Sequence, residues 1–362
     1  MTGDATTRAP IRVLVVDDSA FMRAALSRMI ASESGLEVAA TACSGSDALD
    51  KIPSVDPDVV TLDIEMPGLD GVQTLRRIMK QFPRPVIMVS GAAERSAENT
   101  FDALAAGAFD YVPKDLSPTS LDILHIRSDL VAKIRAAAQS RKAPAFGVLA
   151  KKPPQPLWSA SPAGAVSSRA AIVALGISTG GPKALQDMLP LFPRDLSVPI
   201  LIVQHMPLGF TAPFAKRLNS LCSVAVREAT HGENLCPGVV YLAPAGRHMR
   251  VERQSARAIL SLDTQPEDCQ HIPSVDVLMN SVAAVFHNLA LGVIMTGMGS
   301  DGAEGMQSIF REGGLTIGQD EATCTVYGMP RVCAELGILN RVVPLSQIPA
   351  QIIEATRSRK LA

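Results

Sequence analysis

Residues 11–19 read Ile-Arg-Val-Leu-Val-Val-Asp-Asp-Ser, a short apolar run that ends in two adjacent carboxylates. From Phe21 to Ile30 the apolar residues then fall at helical spacing. The same succession recurs. The runs Val59-Val-Thr-Leu62 and Pro85-Val-Ile-Met-Val89 are each separated from the next by a helical stretch such as Val72 to Met79. Strands this uniformly apolar belong to a parallel sheet with helices on both faces, because neither face meets water. Five strand–helix units are expected, up to a helix from Ser120 to Ala138.

The scheme repeats further on. Ala171–Leu175, Pro199–Val203 and Leu289–Met295 each lead through a Gly-containing loop into a helix, with a hairpin expected over 246–263. Both halves therefore read as doubly wound α/β, the second mostly parallel. Between them, residues 136–168 carry 4 basic and no acidic residues and are rich in Pro, Ala and Ser. That composition predicts a semi-extended linker, either passive or docked through Leu149, Leu157 and Trp158. The expected division is 1–135, 136–168 and 169–362.

Net charge is −1 over 362 residues, so no global basic field holds nucleic acid or an anionic membrane. Apolar runs fall short of the roughly 18 residues that a spanning helix needs. The opening MTGDATTRAP lacks a signal peptide's apolar core, and the 6 cysteines show no CxxC pair. A soluble, cytoplasmic protein with reduced thiols is expected.

Asp17, Asp18 and Asp63 follow strands of one parallel sheet, and carboxyl ends of such strands share an edge. Converging like charges repel, and a hard divalent cation with oxygen ligands is the usual remedy. Ser90 and Lys114 end two further strands and add a hydroxyl and a cation there. The set suits attack of Asp63 on a phosphoryl donor. The runs VDDS, LDIEMPGLDG, Ser90-Gly91 and Tyr111-Val-Pro-Lys114 resemble the receiver domain of two-component response regulators. The resemblance implies a flavodoxin-like fold with Asp63 as phosphoacceptor. It further implies Mg²⁺ held by Asp17, Asp18, Asp63 and the Glu65 carbonyl, Ser90 and Tyr111 as a switch pair, and Lys114 as the phosphate contact. The family usually has Pro after this Lys, whereas Asp115 follows here.

In the second half, Gly176-Ile-Ser178-Thr-Gly180-Gly181 lies between a strand and a helix and fits the elbow that exposes a nucleophilic Ser. Such a loop also suits phosphates, dinucleotides or a plain tight turn. Of six histidines, His205 alone closes a strand of the same sheet, while His125, His231, His248, His271 and His287 read as surface or structural residues. Asp301 lies in the Gly-rich loop after a third strand, placed to accept from an imidazole. Three strand–loop–helix units thus aim Ser178, His205 and Asp301 at one crevice, with the backbone N–H groups at Thr179 and Met298 as oxyanion donors.

The strings GISTGGP, VQHMPLGFTAPFAKRLN, YLAPAGRHM and IMTGMGSDGAEGM resemble the catalytic domain of chemotaxis protein-glutamate methylesterases. This implies Ser178, His205 and Asp301 as a triad that needs no cofactor for the ester chemistry. The implied substrate is the glutamate γ-methyl ester of methyl-accepting chemotaxis receptors, with deamidation of receptor glutamines through the same acyl-enzyme. A chemotaxis histidine kinase is the implied phosphodonor. The resemblance also implies that the unphosphorylated receiver restricts access to the active site. A binding module without chemistry would leave His205 and Asp301 unexplained. A DNA-binding output lacks a basic excess. A serine esterase for small molecules is the remaining alternative.

Overall fold

The computed structural model describes residues 9–91, 94–114, 120–142, 170–255 and 257–357, with the backbone alone for 94, 95, 120–125, 141 and 142. Asp115, Leu149, Leu157 and Trp158 lie outside them. The N-terminal unit runs β1 (Ile11–Val16), α1 (Ala20–Ala31), β2 (Leu36–Ala42), α2 (Gly45–Val55), β3 (Val59–Asp63), α3 (Gly71–Gln81), β4 (Val86–Ser90), α4 (Glu94–Ala105), β5 (Asp110–Pro113) and α5 (Ser120–Lys142). Its strands pair in parallel in the order β2-β1-β3-β4-β5. β3 and β4 are buried at every position, as a sheet covered on both faces requires.

Helix α5 continues to Lys142, past position 136 where the sequence composition puts the start of the linker. Ala136, Ala137 and Ala138 are strong helix formers, and the last two are buried against the sheet core, so tertiary packing carries the helix onward.

The C-terminal unit begins with β6 (Ile172–Ile177), α6 (Gly181–Met188), β7 (Ile200–Gln204), α7 (Thr211–Leu221), β8 (Ala225–Glu228) and β9 (Val239–Leu242). The hairpin β10 (His248–Gln254) and β11 (Arg257–Asp263) follows, then α8 (Val275–Phe286), β12 (Ala290–Ile294) and α9 (Ala303–Arg311). β13 (Leu315–Gln319), α10 (Met329–Glu335), β14 (Arg341–Val343) and α11 (Ile348–Thr356) complete it. The sheet order is β14-β13-β12-β6-β7-β9-β8, and every pairing in it is parallel. The antiparallel component is confined to the separate β10–β11 hairpin. No helix among the described residues is long and apolar enough to cross a membrane.

Register positions the chemistry. In each sheet the strand order reverses beside the first strand, and open α/β sheets bind ligands in the crevice at such a reversal. Val16 pairs with Leu62, so Asp17 and Asp63 emerge side by side. Ile177 pairs with Gln204, so Ser178 and His205 are the next residues out of paired strands.

The two units pack through aromatic rings. Phe101 of α4 lies 4.8 Å from Phe214 and 6.3 Å from Phe210 of the C-terminal unit, and Tyr111 of β5 lies 4.9 Å from Phe210. All four side chains are buried. Asp102 and Arg217 pair at 2.8 Å on the half-exposed rim, where such a contact adds little. Phe101→Ala is expected to cost about 3–5 kcal/mol of unfolding free energy in urea titrations, the range for an emptied aromatic site. A loss below about 1 kcal/mol would contradict this packing.

Candidate active site and phosphoacceptor pocket

Ser178 sits on the sharp turn between β6 and α6. Gly180 there has φ +77°, a conformation that a side chain disfavours. A Cβ on Gly297 would come within 2.8 Å of the Ser178 Cβ, so glycine at 297 lets the loop after β12 approach closely. Gln204, fully buried at the end of β7, donates through Nε2 to the carbonyls of both Ser178 and His205, at 3.0 Å each. That amide braces the two loops against each other, a role its apolar sequence context does not reveal.

His205 Nε2 lies 2.7 Å from Asp301 Oδ2. Asp301 also accepts from Ser274 Oγ at 2.9 Å, Val275 N at 2.8 Å and Asp276 N at 3.0 Å, all at the head of α8. Burial pushes the Asp301 carboxyl upward, but the His205 hydrogen bond and charge and these N–H groups outweigh it. Asp301 is held well below the usual carboxylate range. An ionised carboxylate only accepts, so Nε2 carries the imidazole proton and Nδ1 is the basic nitrogen. His205 Nδ1 is buried and has no hydrogen-bond partner among the described residues.

Ser178, Thr179, His205 and Met298 line one cavity of about 460 Å³. Its opposite wall belongs to the N-terminal unit and includes Asp110, Tyr111, Asp129 and Lys133. Lys133 Nζ pairs with Asp129 at 2.9 Å and donates to the Tyr111 carbonyl at 2.6 Å.

His248, read as a surface or structural residue, takes the structural place: it is fully buried, because β10 packs against α8. His271 differs from that reading: it lines the cavity and stacks on His205, with ring centroids 4.0 Å apart at 20°. Burial, reinforced by His205, pushes His271 down to about 4.

At the other sheet edge, Asp17, Asp18 and Asp63 offer oxygens that all lie within 4.8 Å of one another. Lys114 Nζ reaches Asp63 Oδ2 at 2.6 Å and Asp17 Oδ2 at 3.0 Å. Burial raises Asp63 to about 6 against the pull of Lys114, with Asp17 adding to the rise. One lysine thus faces three carboxylates, two of them buried, and this hard-oxygen set fits a divalent cation such as Mg²⁺. Glu65 N donates to Asp63 Oδ1 at 3.1 Å, which puts its backbone beside the cluster. Ser90 Oγ accepts from Thr100 Oγ1 at 2.7 Å, and the Tyr111 hydroxyl is buried with no partner among the described residues.

Known proteins resemble this chain over both units. The family model for CheB methylesterase matches residues 173–352, and that for the response regulator receiver domain matches 13–124. A protein-glutamate methylesterase/protein-glutamine glutaminase of Oleidesulfovibrio alaskensis is 44% identical over 95% of this chain and 99% of its own length. One from Nitratidesulfovibrio vulgaris is 46% identical over 95% and 98%. The crystal structure of the Thermotoga maritima CheB methylesterase catalytic domain is 38% identical with a TM-score of 0.50, covering 52% of this chain and 99% of that one.

Asp301 and His271 together predict acid sensitivity. Both are depressed in the fold, so their contributions are present above their unfolded values of 3.8 and 6.5 and are lost as pH falls. Asp301→Asn is expected to lower the melting temperature at pH 7, with the gap to wild type closing below pH 3.8. Melts showing a gap independent of pH would contradict the depressed carboxyl. By fold, motif and overall sequence, the chain belongs to the CheB methylesterase family, the protein-glutamate methylesterase/protein-glutamine glutaminases that carry an N-terminal response regulator receiver domain.

Proposed function

We propose that this chain removes γ-methyl esters from glutamates of methyl-accepting chemotaxis receptors, and deamidates receptor glutamines, through an acyl-enzyme on Ser178. His205 Nδ1 takes the Ser178 proton as Oγ attacks the carbonyl carbon. The oxyanion faces the backbone N–H groups of Thr179 and Met298, each worth about 3 kcal/mol in such a hole. The protonated His205 returns that proton to the leaving group, so methanol departs from an ester and ammonia from an amide. Water then attacks the acyl carbon with His205 as base, and Ser178 is regenerated beside a free glutamate carboxylate. Asp301 holds the ring's orientation and tautomer throughout.

In this reading the regulatory domain extends from the expected 1–135 to the end of α5 at Lys142, the remainder of 136–168 is the tether, and 169–362 is the esterase. Asp63 accepts a phosphoryl group from a chemotaxis histidine kinase. Asp17, Asp18, Asp63 and the Glu65 carbonyl would hold Mg²⁺, which supplies charge neutralisation to the phosphoryl oxygens. Lys114 contacts the phosphoryl group, and Ser90 and Tyr111 respond to it. Because the substrate is a receptor's cytoplasmic helix, the protein works in the cytoplasm.

The observation that carries the reading is the shared cavity. Ser178 and His205 open towards Asp110, Tyr111 and Lys133 of the receiver, so the packed receiver stands across the approach of a receptor helix to Ser178. Phosphorylation that shifts the Tyr111–Phe210 contact would favour an open arrangement.

Methanol release from methylated receptor membranes tests each part. Ser178→Ala is expected to lose at least about a thousandfold in rate. Deleting residues 1–168 is expected to raise the basal rate, and an unchanged or lower rate counts against occlusion. Asp63→Asn is expected to abolish stimulation by a phosphodonor without abolishing hydrolysis.

A further inference from the structure

We propose that His271 is a positioning residue for this hydrolysis: its ring, stacked on His205, fixes that imidazole in the plane set by Asp301 and favours the cation it becomes on accepting the Ser178 proton. The inference rests on the roles proposed above for Ser178, His205 and Asp301.

The stack is close and nearly parallel, at 4.0 Å and 20°. One hydrogen bond to Asp301 sets the direction of Nε2 but leaves the imidazole free to rock about that line. A plate against its face removes the motion, and Nδ1 then keeps one heading towards the cavity that Ser178 lines. Small misalignments of a base are costly in rate.

His271 is itself held by a support outside the triad. The fully buried His248 accepts from Ser274 N through Nδ1 at 3.1 Å and donates from Nε2 to the Pro266 carbonyl at 3.1 Å. One imidazole of β10 thereby pins both ends of the 266–274 segment that carries His271. Gly246 N adds a bond to the Ile272 carbonyl at 3.0 Å. The loop is therefore anchored to the same framework that holds Asp301 through Ser274.

The charges around His271 are His205 and Asp301 from the esterase and Lys133 and Asp129 from α5. Burial beside these groups keeps the ring neutral at working pH. A neutral aromatic face attracts a cation laid against it, whereas a second imidazolium would repel it. The stack therefore gains strength as His205 takes the proton, and only interactions that strengthen in this way raise kcat.

The test uses the full-length chain with phosphodonor and methylated receptor membranes, reading kcat and KM from methanol release. His271→Leu keeps bulk without a ring and is expected to lower kcat on the order of tenfold while KM stays within about twofold. His271→Phe restores a neutral plate and is expected to recover most of the loss. Wild-type kcat in His271→Leu, a Phe variant no better than Leu, or a loss confined to KM would each overturn the proposal. If the Leu variant melts early, His271→Asn, also without a ring, replaces it in the comparison. Ser178→Ala measured alongside separates the two levels: hydrolysis surviving there refutes the nucleophile. Hydrolysis lost there but intact in His271→Leu refutes only the stack.

Discussion

Asp301 is a half-buried carboxylate, and withdrawing a charge from water is costly unless the surroundings supply hydrogen bonds. Here they come from the Ser274 hydroxyl, from Val275 and Asp276 N–H at the head of α8, and from His205 Nε2. Asp301 follows β12, Ser274 precedes α8 and His205 follows β7, so a single group ties three connections into one crevice. Asp276 extends the tie by accepting from Gly305 N at 2.7 Å, in the first turn of α9. Two carboxylates thus satisfy the first turns of α8 and α9. Satisfying Asp301 also dictates the His205 tautomer, and that leaves Nδ1 as the proton acceptor.

Both halves of the chain use the same topological device. The first strand lies inside the sheet, the strand order reverses beside it, and the polar groups leave the carboxyl ends on either side. One crevice collects acids and a lysine, the other a hydroxyl, an imidazole and a carboxylate. What joins them is apolar: Tyr111, three residues before Lys114, packs its ring on Phe210. Its hydroxyl has no partner among the described residues, and its ring lies in the contact between the units. An aromatic packed this way next to the Asp63 cluster is a suitable element for carrying a change at Asp63 to the esterase crevice.

Much of this was readable from the order of residues. Ser178, His205, Asp17, Asp18 and Lys114 each follow an apolar run, and Asp63 ends one, so their common edges follow from parallel pairing alone. Asp301 was readable for the same reason, from the loop after β12. Gln204, Ser274, His248 and His271 were not. Gln204 ends an apolar strand, and its amide matters only because β6 and β7 are neighbours. His271 lies in a stretch with no period, and its place over His205 depends on how the 266–274 loop folds back across the sheet edge.

The sequence by itself determined two doubly wound α/β units, the edge of each that bears chemistry, and the residue types that gather there. Those properties follow from local periodicity and from the rule that parallel strands share a direction. The tertiary structure alone decided which units face each other, that Asp110, Tyr111 and Lys133 wall the esterase cavity, and that α8 turns its N–H groups onto Asp301. These depend on side chains far apart in the chain meeting in a close-packed interior, where shape and unpaired polar groups leave few arrangements, and periodicity carries no information about such meetings.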